Sequence, residues 1–192
     1  RQADHIHLRC PGNIALLANN LPFVDVILDK KNAENGTLEW SQPFGGSGGS
    51  NFGNTVCQTS DDGYIISAST SYYGAGMLDA WIIKTDPSGN EEWNQTYGNI
   101  GMEEARSVKQ TIDGGYIFTG VTWGDSPVQN NDIWVVKIDA QGTIQWDYTY
   151  DYQYANYTFS ILQTSDNGYI VGGSKYLEAD NTNSDMWLLR FP

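Results

Sequence analysis

The apolar positions of this chain come in short runs. Ile82-Ile83, Val135-Val136 and Leu188-Leu189 each follow an Asp-x-Trp triplet, and Tyr116-Ile-Phe-Thr119 follows an Asp-Gly-Gly turn. Runs this short, rich in aromatic and β-branched residues and bounded by Asp, Gly and Ser, predict strands joined by tight turns. The residues ahead of each Gln-Thr pair alternate, so each Asp-x-Gly turn is expected to close a β-hairpin. The longest apolar stretches, such as Val26 to Leu28 and Trp134 to Val136, are strand-sized. They fall far short of the roughly 18 residues that a membrane-crossing helix requires.

The runs recur in phase. Gln58-Thr-Ser-Asp-Asp-Gly-Tyr-Ile65, Gln110-Thr-Ile-Asp-Gly-Gly-Tyr-Ile117 and Gln163-Thr-Ser-Asp-Asn-Gly-Tyr-Ile170 lie 52 and 53 residues apart. Asp79-Ala-Trp81, Asp132-Ile-Trp134 and Asp185-Met-Trp187 recur at 53, as do Gly36…Trp40, Gly89…Trp93 and Gly142…Trp146. Three landmarks in fixed phase define one four-stranded unit, which cannot bury both faces alone and so stacks on its neighbours. The expected fold is all-β, a β-propeller-like array of about three to four four-stranded antiparallel blades. Residues 1–24 fit no repeat and are expected to form an N-terminal arm, with 25–192 as the repeat domain. The chain opens with half a unit, Val26 to Trp40, and its last unit has three strands. The strand around Thr37 to Trp40 is therefore expected to complete the last blade.

Asp139-Ala-Gln-Gly-Thr-Ile-Gln-Trp146 resembles the tryptophan-docking repeat of quinoprotein-type propellers, and Thr59-Ser-Asp61-Asp-Gly63 resembles the Asp-box turn of sialidase-like propellers. The whole unit is similar to the propeller-type repeats of bacterial and archaeal surface proteins, over about residues 25 to 192. This resemblance implies the fold and no particular activity.

Charge narrows the partners. Ten Lys and Arg stand against 23 Asp and Glu, a net charge of −13 with no basic run, so nucleic acid and anionic membrane are not expected partners. Abundant Gly, Tyr and Trp with few Lys points to an extracellular or cell-surface protein. Cys10 and Cys57 either pair as a disulfide or remain buried thiols. The sequons at Asn35, Asn94 and Asn156 are acceptor sites if the exporting cell glycosylates this chain.

No catalytic residue stands out. Asp61, Asp113 and Asp166 repeat in every unit, as do Asp79, Asp132 and Asp185. A carboxylate in every unit is expected to satisfy backbone N–H groups, because chemistry needs one asymmetric site. The repeats carry only Arg106 and Arg190, too few for a sialidase-like carboxylate clamp. His5 and His7 share one face of a strand without a third ligand, so no metal is expected, and no cofactor motif occurs. Gly45-Gly-Ser-Gly-Gly49 reads as an inter-blade loop.

Two features suit binding. Tyr148, Tyr150, Tyr152 and Tyr154 lie on one face of an extended strand, suited to sugar rings or to packing between blades. The loop Glu178 to Asp185 offers oxygen ligands at calcium-like spacing or is a solvated acidic loop. The arm, with its alternating His5-Ile-His-Leu8 and apolar Asn13 to Ala18, either packs on its own propeller or adds to a neighbour's sheet edge. The function expected is therefore a non-enzymatic extracellular structural protein, a self-associating homopolymer that exchanges its arm strand. The alternative is a glycan-binding propeller module.

Overall fold

The computed structural model describes residues 14–18, 25–46, 48–123, 131–151, 155–177 and 183–191. Among these residues fourteen strands form four antiparallel sheets. Blade 1 contains β1 (Ile14–Ala18), β2 (Val26–Lys31) and β3 (Leu38–Phe44). Blade 2 contains β4 (Asn51–Gln58), β5 (Tyr64–Thr70), β6 (Asp79–Thr85) and β7 (Glu91–Tyr97). Blade 3 contains β8 (Met102–Gln110), β9 (Tyr116–Trp123), β10 (Asp132–Ile138) and β11 (Ile144–Tyr150). Blade 4 contains β12 (Asn156–Gln163), β13 (Tyr169–Tyr176) and β14 (Ser184–Phe191). The repeated all-β blades are those of a propeller-type fold.

One expectation about the chain's ends is corrected. Thr37 to Trp40 does not complete the last blade, because β3 is hydrogen-bonded to β2, with Leu28 opposite Gln42 and Lys30 opposite Trp40. Of the two placements open to the arm, Ile14–Ala18 takes the one on its own sheet: β1 pairs with β2, Ile14 opposite Lys30 and Ala18 opposite Val26. The rest of the arm lies outside the described residues.

The third strand of each full blade is apolar on both sides because it is sandwiched. Trp81 and Ile83 of β6 pack toward blade 1 against Val26, Leu28 and Phe44. Ala80 and Ile82 pack toward blade 3 against Ala105, Phe118 and Trp134. Every residue of β6 is buried, which is why its sequence reads as a continuous run rather than an alternation. Each such Ile or Phe side chain contributes roughly 1.5–3 kcal/mol by leaving water. The fourth strands β7 and β11 lie outermost and are largely exposed, with Trp93 and Trp146 turned inward against Tyr116 and Tyr169.

The Asp-x-Gly turns follow from sterics. The middle position takes left-handed backbone, φ 64° at Asp62, 82° at Gly114 and 65° at Asn167, and Asp, Gly and Asn are the residues that tolerate it. The following glycine faces the end of the third strand. A β-carbon on Gly63 would lie 2.1 Å from the carbonyl oxygen of Thr85, and one on Gly115 would lie 2.4 Å from that of Ile138.

Candidate functional site

The two rims of the array differ. On the rim of Asp-x-Gly turns, Asp61, Asp113 and Asp166 each accept the hydroxyl of the Thr two residues earlier and the N–H of the Gly two residues later. Each also pairs with a cation at the end of the third strand, Lys84, Lys137 or Arg190. Burial raises the carboxyls of Asp61 and Asp113, but the threonine hydroxyl, the lysine and the glycine N–H outweigh it and hold both near about 2. These carboxylates are turn fasteners.

The opposite rim is built where one blade meets the next. The third strands begin at or beside corresponding aspartates, Asp25, Asp79 and Asp132; the next blade's first strand brings Asn51 and Glu103 beside the first two, and Asn156 holds the same phase at the third, bonded to the Asn131 carbonyl. At the first junction a β-carbon on Gly45 would lie 2.3 Å from Asp25 Oδ1 and 2.7 Å from Asn51 Nδ2. At the second, one on Gly98 would lie 2.4 Å from Glu103 Oε2 and 2.9 Å from Asp79 Oδ1. In both, two polar side chains meet over bare backbone, and a glycine with φ of 140° or 151° makes the room. At the third junction Asp151 stands where the others have glycine, beside Asp132.

The second junction is the exception in the repeat, a carboxylate pair where its sisters carry an amide in place of Glu103. Asp79 and Glu103 are buried, at 1% and 2% exposure, so the pair is held away from bulk water. Asp79 accepts the N–H groups of Ala75 at 3.3 Å and Gly76 at 3.0 Å. Glu103 accepts the N–H of Asn99 at 3.1 Å and the hydroxyl of Thr122 at 3.0 Å.

A third carboxyl stands in the same row. Thr122 on β9 is opposite Glu103 on one side and Asp132 on the other, so all three side chains leave one face of blade 3. Two strand spacings put the Glu103 and Asp132 backbones about 10 Å apart. Burial, and then the neighbouring Asp151, push the Asp132 carboxyl up to about 6. The rim of blade 3 thus combines hydrogen-bonded acceptors, Glu103 and the neighbouring Asp79 of blade 2, with a carboxyl that keeps its proton to near neutrality. That is the equipment of general acid and base chemistry.

Sequence reasoning missed Glu103. Carboxylates that recur read as structural, and Glu103 is the one that does not recur. The signal was present, because Glu103 is in phase with Asn51 and Asn156.

The other sequence-derived positions do not converge on this site. Tyr148 and Tyr150 pack on Phe191 of blade 4, with ring centroids at 6.2 and 5.3 Å, so they are inter-blade contacts; Tyr152 and Tyr154 lie outside the described residues. Cys57 Sγ donates to the Val108 carbonyl and receives the Lys109 ammonium at 2.8 Å, while Cys10 lies outside the described residues. Of the sequons, Asn35 is exposed and folds its own turn by accepting from Thr37. Asn94 receives the Trp81 indole N–H at 3.0 Å, and Asn156 is fully buried, so it offers no acceptor surface in the folded chain. His5, His7 and most of the Glu178 to Asp185 loop lie outside the described residues.

No family model and no curated protein matches the sequence. Solved structures do. An endo-arabinase from Bacteroides thetaiotaomicron superposes with a TM-score of 0.59 over 97% of this chain and 74% of its own, at 15% identity. A GH43 β-1,3-galactosidase aligns with a TM-score of 0.48 over 87% of this chain and 36% of its own, also at 15% identity. The endo-arabinase match, with the four antiparallel sheets of this chain, shows a propeller-like fold. The first of these neighbours is an endo-arabinase, a finding that runs against the expectation of a non-enzymatic filament subunit. The pairing of β1 within its own sheet commits Ile14–Ala18 to this chain, while His5 to Leu8 lies outside the described residues.

Proposed function

We propose that this chain is a glycan-processing enzyme that cleaves glycosidic bonds at the rim of blade 3. The observation that carries the reading is Glu103, the carboxylate that breaks the repeat's amide pattern beside Asp79 and in one row with Asp132. Glycoside hydrolysis uses two carboxyl groups, one delivering a proton to the leaving oxygen and one acting on the opposite face of the sugar. Asp132, protonated up to about pH 6, suits the acid. Glu103, held by Thr122 and Asn99, suits the group that activates water or steadies positive charge on the sugar ring. The propeller fold shared with an endo-arabinase supports a polysaccharide substrate and makes arabinan the first to try.

The test is release of reducing ends from arabinan and a panel of other polysaccharides by the wild type and Glu103→Asn. Asn already occupies this position at both sister junctions, so the variant should keep its far-UV spectrum and melting behaviour. The expected result is release from at least one polysaccharide and a loss of ~100-fold or more in the variant. No release from any substrate, or equal rates for both proteins, would overturn the proposal.

A further inference from the structure

Gly48 and Gly49, between blades 1 and 2, have no room for a side chain because a tyrosine lies against them. A β-carbon on Gly48 would lie 2.6 Å from Tyr72 Cε2, and one on Gly49 would lie 2.6 Å from Tyr72 Cβ. The next residue, Tyr73, donates its hydroxyl to the Gly45 carbonyl at 3.4 Å and rests its ring on Trp81, with centroids 5.5 Å apart. The two tyrosine rings meet edge to face at 4.8 Å. Their backbone is fastened as well. Thr70 Oγ1 accepts both of their N–H groups, and Ser71 donates its N–H to the Ser50 carbonyl at 3.0 Å.

Rings held this firmly are ordinarily buried, yet Tyr72 is 49% and Tyr73 38% exposed. An aromatic surface that is both fixed and open has little freedom left to lose when something covers it, which is the condition for a binding surface.

The tyrosines and the acid site share one loop. Tyr73 is followed by Gly74, where a β-carbon would lie 2.4 Å from the Asp79 carboxyl carbon. Ala75 and Gly76 come next, and their N–H groups hold that carboxylate. Asp79 stands beside Glu103 over Gly98. The corresponding segments of blades 3 and 4, residues 124–131 and 177–183, contain no aromatic residue. The pair thus departs from those two units in the same blade whose Asp79 meets Glu103.

We propose that Tyr72 and Tyr73 form a stacking subsite for one sugar ring of a polysaccharide, which lies over blade 2 while the bond to be cleaved lies at Glu103. The inference rests on cleavage at the rim of blade 3 and adds the part of the substrate gripped away from that bond. A sugar ring presents a face of C–H groups and a border of hydroxyls. The C–H face covers the exposed tyrosine surface, and the hydroxyls stay in water. Binding energy gathered there favours long chains over short ones and places the cut inside the chain.

Affinity electrophoresis of the whole chain carrying Glu103→Asn, through gels containing arabinan, galactan, xylan or mixed-linkage glucan, reads binding without cleavage. The expected result is retardation by at least one of the four, ~10-fold weaker binding on adding Tyr72→Ala or Tyr72→Leu, and nearly unchanged binding on adding Tyr72→Phe, which keeps the ring. Leucine keeps apolar bulk against Gly48 and Gly49, so it separates loss of the flat ring from collapse of the loop. Retardation by none of the four, or equal retardation of all the variants, would overturn the subsite. The subsite and the catalytic reading fail separately. Retardation that Tyr72→Leu abolishes, with no reducing ends released by the wild type, would sink the catalytic reading and leave the subsite standing. Reducing ends released at the same rate by the wild type and Tyr72→Leu, with equal retardation, would sink the subsite alone.

Discussion

Ser60 of blade 2 donates its backbone N–H to Oε1 of Gln110 in blade 3 at 2.8 Å, and Ile112 donates in the same way to Gln163 of blade 4. Gln110 and Gln163, which open their Gln-Thr motifs, thus belong functionally to the preceding blade, whose turn each closes. Apolar faces give the blades affinity, and this bond fixes their phase. Gln110→Ala should lower stability by about 1 kcal/mol, while Gln110→Glu, which keeps an acceptor, should lose less. Denaturant titration of the two variants checks the order.

The glycine of the Asp-x-Gly turn is a packing requirement. Gly63→Ala would push a β-carbon onto the Thr85 carbonyl and should cost about 2 kcal/mol or more. Gly114→Ala has open space around it and only its φ of 82° to resist, so it should cost about 1 kcal/mol. Thermal unfolding of the pair distinguishes a steric from a purely conformational role.

Acid should loosen the turn rim. Asp61 and Asp113 sit near about 2 in the folded chain, below the ordinary carboxylate value of about 4. Their contribution is complete above the unfolded value and lost as pH falls through the folded one, so stability should drop between about pH 4 and pH 2. The double variant Asp61→Asn, Asp113→Asn should show a flatter profile across that window in pH-dependent melting.

Asp132 has the opposite sign. Its folded pKa, pushed up to about 6 by burial and Asp151, exceeds the unfolded value, so its contribution is complete below about pH 4 and lost as pH rises through 6. Asp132→Asn should therefore melt above the wild type at pH 8, with the gap closing by pH 4. A gap independent of pH would place the effect in packing.

The repeat was legible because each landmark has a local cause. Gly63 and Gly115 stand where a β-carbon would strike a carbonyl, Asp61 and Asp113 fasten their own turns, and Trp81 fills an inter-blade face. The strand count at the ends was not legible, since Thr37 to Trp40 has the outer-strand pattern wherever it pairs and only the register to β2 decides. The site was hidden for a different reason. Asp79 and Glu103 are 24 positions apart in sequence and meet only because stacking lays the start of β8 over the end of blade 2 at Gly98. Asp132 looks like its in-phase partners until Asp151 is placed beside it.

The pH dependence of reducing-end release, measured on the polysaccharide that the wild type cleaves fastest, tests the central claim most directly. If Asp132 delivers the proton, the rate should fall on the alkaline side with a midpoint near 6, and Asp132→Asn should lose that limb along with ~100-fold or more of the rate. An unchanged profile and rate in Asp132→Asn would contradict a catalytic rim at blade 3.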